Sequence, residues 1–116
     1  MNLKKREVGD LVIVDIEGKL VGGPDESPEF HDFFKSLLGG GANEIVINLR
    51  NTPWASSLGI GMLIGAHTSV ANAGGELVLA HVSDRINDLL NVTRLYLVFK
   101  CFGTDEAAIK YLTEKG

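Results

Sequence analysis

Two adjacent serines, Ser56 and Ser57, are the residues of this 116-residue chain whose type and setting could first do chemistry. They follow Arg50-Asn-Thr-Pro-Trp54-Ala55, which leads out of a short apolar run, and precede Leu58-Gly-Ile-Gly-Met-Leu-Ile-Gly-Ala66. That order puts them at a strand-to-helix turn. Open parallel sheets carry their sites at the carboxyl ends of strands. A helix start also offers unpaired N–H groups and the positive end of a dipole, so a phosphate there would be stabilised. Taken alone, a serine at this position is also what a helix cap requires.

Three other chemistries fail on spacing. Ala55-x-Ser57-x-Gly59 has the outline of a nucleophile elbow with alanine in the first glycine's place. Its partners are missing: Glu76, the only acid between Ser57 and His81, opens a strand. His67 lies ten residues along the same helix, about 15 Å away at 1.5 Å per residue. Gly59-x-Gly61-x-x-Ile64-Gly65 misses the dinucleotide fingerprint by one position, lies within the helix, and has no acid about 20 residues on. His31, His67 and His81 are scattered singly, so neither a metal nor a cofactor is expected. The chain reads as a non-enzyme. The single cysteine, Cys101, excludes an intramolecular disulfide.

Charge narrows the classes further. No charged residue occurs between Arg50 and Glu76, a gap of 25 positions. The apolar part, Leu58 to Ala66, is far shorter than the about 20 residues of a membrane span, so no membrane insertion is expected. A net charge of −4 and a pI near 5.3 argue against nucleic acid as a partner. The basic N-terminus has no apolar segment behind it and is not expected to be a signal peptide. With 45% hydrophobic residues, the expectation is one domain, residues 1–116, in the cytoplasm.

The elements that must position the serines can be read in order. Lys4 to Val8 and Leu11 to Glu17 are strands joined by Gly9-Asp10, hence an antiparallel hairpin. Ser27-Pro28 starts a helix carrying Phe30, Phe33, Phe34, Leu37 and Leu38. Glu44 to Leu49 is a strand, Leu58 to Ala73 a helix, and Glu76 to Ala80 a buried strand. Ser83-Asp84 caps a helix with Ile86, Leu89 and Leu90 inward. Leu97 to Phe102 reads as a strand that buries Cys101, and Thr104 caps a last helix to about Leu112. The order ββαβαβαβα predicts an α/β fold: a mixed, mostly parallel sheet covered by about four helices, antiparallel only at the first hairpin.

On the long helix, Gly59, Met62, Leu63, Ala66, Val70 and Ala73 are expected to face the sheet. Ile60, Gly61, Ile64, Gly65, Thr68 and Asn72 then fall on the flank and outer side. A solvated helix usually charges that face. Small and apolar groups there suit docking of another protein, or burial by a second copy or a neighbouring element. Ile64→Asp is accordingly expected to spare the fold.

Together these segments resemble the STAS domain (sulphate transporter and anti-sigma factor antagonist) in its small stand-alone form. The likeness runs through Leu11 to Leu20 with its Gly-x-Leu ending, Ile45 to Leu49, Ser57-Leu-Gly-Ile-Gly-Met-Leu-Ile-Gly65 and Ala73 to Leu79. It continues through Leu90-x-x-Thr-Arg-Leu95 and Thr104-Asp-Glu-Ala-Ala108. The resemblance implies an anti-sigma factor antagonist of a bacterial partner-switching system. Such a domain binds an anti-sigma factor that is also an ATP-dependent serine kinase, is released on phosphorylation, and is reset by a phosphatase. Alignment of Gly59-Ile-Gly61 on the family's Gly-Leu-Gly makes Ser57 the phosphoacceptor, with Ser56, Leu58 and Gly59 beside it and Ile60, Gly61, Ile64 and Thr68 as partner contacts. The implied state is a monomer or weak homodimer. Where the family carries acids near the site, this chain has Ser56, Val21 and Asn48. The resemblance also leaves room for an interaction module without the phosphoswitch (a scaffold, a sensor or a transport-associated domain), or for a small ligand-binding domain using the turn near Trp54.

Overall fold

In the computed structural model, which describes residues 1–115, alternating hydrophobic residues build the sheet and set its two faces. Strands β1 (Asn2–Val8), β2 (Leu11–Glu17), β3 (Glu44–Asn51), β4 (Glu76–Ala80) and β5 (Cys101–Phe102) lie in the order β1-β2-β3-β4-β5. The β1–β2 pair is antiparallel, with Val8 opposite Leu11, and Gly9 supplies the left-handed φ of +61° that the tight turn needs. All the other pairs are parallel, as crossover helices require. This is the mixed α/β architecture expected from the element order.

Side chains at even positions of β2 and odd positions of β3 and β4 point one way. Val12, Val14, Ile16, Ile45, Ile47, Leu49, Leu77 and Leu79 form the larger core with α1 (Glu26–Gly39), α2 (Ser57–Asn72) and α3 (Asp84–Val92). The opposite set, Leu11, Ile13, Val46, Val78 and Ala80, packs under α4 (Asp105–Glu114) through Ala108 and Leu112. On that second face Arg6 bridges Asp15 and Asp105, at 2.6 and 3.1 Å, and ties the exposed edge strand to α4.

Two expectations are corrected. The run from Leu97 to Phe102 is not one strand. Thr93 Oγ1 donates to Leu89 O at 2.7 Å and closes α3, Arg94 takes a left-handed φ of +61°, and Leu95–Leu97 form a 3-10 turn. Pairing with β4 starts only where Leu79 N–H donates to Lys100 O. Leu97 is therefore exposed and only Phe99 of the apolar run is buried. Cys101, placed in the core by that mistaken strand, is exposed instead. Partial shielding of its sulfur still raises the thiol pKa above the ordinary value. A neutral thiol reagent should label Cys101 to completion without denaturant. Its rate should reach half-maximum at a higher pH than free cysteine, because the thiolate is the reacting form. Labelling only after unfolding would contradict this placement.

The second correction concerns the rotation of α2. Gly59, Ile60, Leu63, Ala66 and Val70 are its buried residues, while Met62 is half-buried and Ala73, beyond the last turn, is exposed. The cause is the approach of Gly59 to the chain following β2. A Cβ at Gly59 would sit 2.0 Å from Leu20 O, so the helix can come this close only without a side chain. With Gly59 fixed there, Ile60 turns into the core at 3% exposure. Gly61 has open space around the same position. Gly59→Ala should therefore cost about 2–3 kcal/mol through overpacking. Gly61→Ala should be neutral or stabilising by about 0.5–1 kcal/mol through helix propensity. Denaturation midpoints of the two variants check the contrast.

Candidate functional site

After β3 the chain turns through Thr52, Pro53, Trp54 and Ala55 before α2 begins. Thr52 is fully buried, and its Oγ1 donates to Ile16 O at 2.8 Å, anchoring the turn to β2. The backbone is then sewn to the segment after β2: Leu20 N–H donates to Trp54 O and Ser56 N–H donates to Leu20 O, each at 3.0 Å. Those bonds fix where α2 starts.

The two serines take different jobs at that start. Ser56 is the N-cap: its Oγ accepts the Gly59 N–H at 3.0 Å and donates to Val21 O. Ser57 is the first helical residue, exposed, and its hydroxyl has no hydrogen-bond partner among the described residues. No acidic residue lies in the first turn of α2. The capping role, open between the two serines in the sequence, falls on Ser56 and leaves the Ser57 hydroxyl free of it.

Ser57 stands between two grooves. One, about 390 Å3, runs between α1 and α2. Phe30, Phe34, Met62 and Ala66 line it, with Ser27, His31, Ser57 and Ser69 also around it. The other, about 140 Å3, lies between α2 and the α3 end, lined by Ile60, Ile64, Leu89, Thr93 and Leu95 beside Ser57. Gly61 borders both, and its missing side chain keeps them open. Beside Ser57, Leu58 is 68% exposed, unusual for a leucine, and Thr68 is exposed one face along.

A clamp covers the other flank. Gly22 adopts a φ of +78°, and a Cβ there would lie 2.7 Å from the Leu58 carbonyl carbon. Glu26 accepts the Gly22 N–H at 3.0 Å and pairs with the N-terminal ammonium at 3.4 Å. Burial pushes the Glu26 carboxyl up, but those two partners outweigh it and hold its pKa below the ordinary value.

The structure brings Ser56, Ser57, Leu58, Gly59, Gly61 and Thr68 to one end or flank of α2, and sets Ile60 and Ile64 deeper than expected, at the floor of the second groove. Ile60 is core and exposes only an edge to that groove. Ile64 is half-buried against the core, so its expected tolerance of Asp is corrected as well. Asn48 is not near the serines at all. It points to the α4 face, where its Nδ2 donates to Asp105 at 2.9 and 3.0 Å. An acid at that position would face Asp105, and the amide turns that repulsion into a hydrogen bond. The α3 wall of the second groove was missed because residues 89–95 join α2 only through tertiary packing. Among the described residues there is no cluster of three potential metal ligands, and no helix is long and apolar enough to cross a membrane.

Comparison with known proteins follows the same outline. The STAS domain family profile matches residues 2–108. The chain belongs to that family. An anti-sigma-B factor antagonist of Staphylococcus aureus is 31% identical over 68 residues, 59% of this chain and 63% of that protein, so the chain spans less than two thirds of this relative's length. The STAS fold is shared with a candidate anti-sigma factor antagonist of Thermotoga maritima, at a TM-score of 0.83 and 22% identity over 97% of this chain and 95% of that one. It is shared too with the Bacillus cell fate determinant SpoIIAA in its phosphorylated form, at a TM-score of 0.72 and 17% identity over 94% and 97%.

The division of labour between the serines is measurable. Ser56→Ala should cost about 1 kcal/mol of stability through the lost cap. Ser57→Ala should change stability by less than about 0.5 kcal/mol. On the helix face, Ile64→Asp should cost about 1–3 kcal/mol and Leu58→Asp close to none. Chemical denaturation of the four variants separates these roles, and equal costs within either pair would overturn the assignment.

Proposed function

We propose that this STAS domain is an anti-sigma factor antagonist, and that its docking surface is the exposed start of α2 with Ser57 as the switch. The observation that carries the reading is the contrast at the helix start. Ser56 is held by two hydrogen bonds, whereas Ser57 is exposed beside an exposed leucine and two open grooves. The names of its relatives supply the partner class, and the phosphorylated state of SpoIIAA supplies a precedent for the modification. The partner proposed is an anti-sigma factor that is itself an ATP-dependent serine kinase, with a phosphatase restoring the unmodified serine. Such an exchange belongs in the cytoplasm, where sigma factors act.

The mechanism is local. The unmodified surface is apolar and uncharged, so Leu58, Gly61 and Thr68 can be desolvated at little cost. In the kinase reaction the Ser57 hydroxyl oxygen attacks the γ-phosphorus of ATP, its proton leaves, and ADP departs. The resulting phosphate carries about −1.5 to −2 charges. Ser57 and Leu58 N–H, in the unpaired first turn of α2, can hold it at the positive end of the helix dipole. Little backbone movement is needed. Binding is lost because a dianion must then be buried in an apolar interface.

Reaction with the cognate anti-sigma kinase and ATP, followed by phosphosite mapping, should place one phosphate on Ser57 and none on Ser56. Ser57→Ala should bind the kinase and resist release. Ser57→Asp, which supplies only part of the charge, should weaken binding. Phosphate on Ser56 would overturn the register. Binding that survives with no phosphate at all would leave an interaction module without the switch.

A further inference from the structure

A second recess opens where the parallel strands end. Lys19, Pro53, Trp54 and Arg85 line it around about 300 Å3. Its walls are tied together: Leu20 N–H donates to Trp54 O at 3.0 Å, and Ser83 Oγ, the cap of α3, lies 3.4 Å from Pro53 O as a donor. Lys19 and Arg85 are exposed, and neither enters an ion pair among the described residues. Acids at the same end of the sheet are already engaged: Glu17 with Lys4, and Asp15 and Asp105 with Arg6. Asp84 and Asp88 stand on Arg85's own helix, but no ion pair joins them to it. On a chain of net charge −4, two cations outside any ion pair among the described residues flank a half-buried indole.

We propose that the Lys19–Trp54–Arg85 recess receives an acidic segment of the protein that docks at Ser57, its carboxylates meeting the two cations and an apolar neighbour lying on Trp54. This rests on the proposed docking at Ser57 and adds the charge of the partner. The recess and the switch share one strap, since Leu20 bonds both Trp54 and Ser56. A phosphate on Ser57 therefore appears beside the path of an incoming acidic segment, and like-charge repulsion opposes docking without any change of shape. Charge complementarity of this kind also speeds encounter at low salt.

Trp54 is the only tryptophan, so its fluorescence reads the recess directly. The intact protein is titrated at low salt with poly-L-glutamate, and with poly-L-lysine and inorganic phosphate as comparisons. A saturable change with poly-L-glutamate alone is expected, weakened at least about tenfold in the Lys19→Glu/Arg85→Glu double variant and reduced by added salt. Both substitutions are on exposed side chains, and an unchanged melting midpoint verifies that the variant is folded. No response, an undiminished response in the double variant, or an equal response to inorganic phosphate would overturn the proposal, the last marking a small-anion site. Binding of the anti-sigma factor separates the two readings. If Leu58→Asp breaks that complex and the double variant does not, docking at Ser57 stands and the acidic segment falls. If the wild-type chain binds no anti-sigma factor, both fall together.

Discussion

The contact between Gly59 and the carbonyl of Leu20 governs the functional end of this molecule. It brings the first turn of α2 against the chain leaving β2, at a distance that only a residue without a side chain permits. The two main-chain bonds of Leu20, to Trp54 and Ser56, fix the same junction from the other side. From that constraint follow the rotation of α2, the burial of Ile60, the engagement of Ser56 as cap, and the exposure of Ser57 and Leu58. A helix displaced outward by one methyl group would disturb all four at once, because packed interiors do not deform continuously.

The surface so formed carries no acid in the first turn of α2 and exposes small and apolar groups around Ser57, and the unpaired N–H groups face outward. Two networks of paired charges lie away from it. Arg6, Asp15, Asn48 and Asp105 form a connected set on the α4 face, and Glu44, Glu76 and Lys115 another at the opposite end of the sheet. A single phosphate at Ser57 would therefore be the one negative group in the first turn of α2, which is what a modification with a binding readout requires.

The sheet, its direction and the four helices could be read from the sequence because each has strong local marks. Gly9-Asp10 fixes the hairpin, the Ser83 and Thr104 caps sit at their expected positions, and the apolar runs of β3 and β4 have the length of buried parallel strands. Ser56 and Ser57 could be placed at a helix start, but which of them caps depended on Val21 O and Gly59 N–H converging on one hydroxyl, a tertiary fact. The β5 region failed for a related reason. An apolar run such as Leu97 to Phe102 is compatible with a strand or a turn, and the Thr93 bond to Leu89 with the left-handed Arg94 decides for the turn. The face of α2 was misjudged because its glycines and small residues blur the hydrophobic stripe, and a main-chain contact thirty-odd residues away sets the rotation.

The central claim is that the start of α2 is the face that meets the proposed partner, an anti-sigma factor. Its most direct test is amide NMR of the isotope-labelled protein with the unlabelled anti-sigma factor added, mapped over the whole surface. The account predicts that the strongest perturbations fall on Ser57, Leu58, Gly61 and Thr68 and the adjoining α1 and α3 walls, with α4 and β1 unaffected. A perturbed surface centred on α4 or on the β1 edge, with the α2 start unchanged, would contradict it.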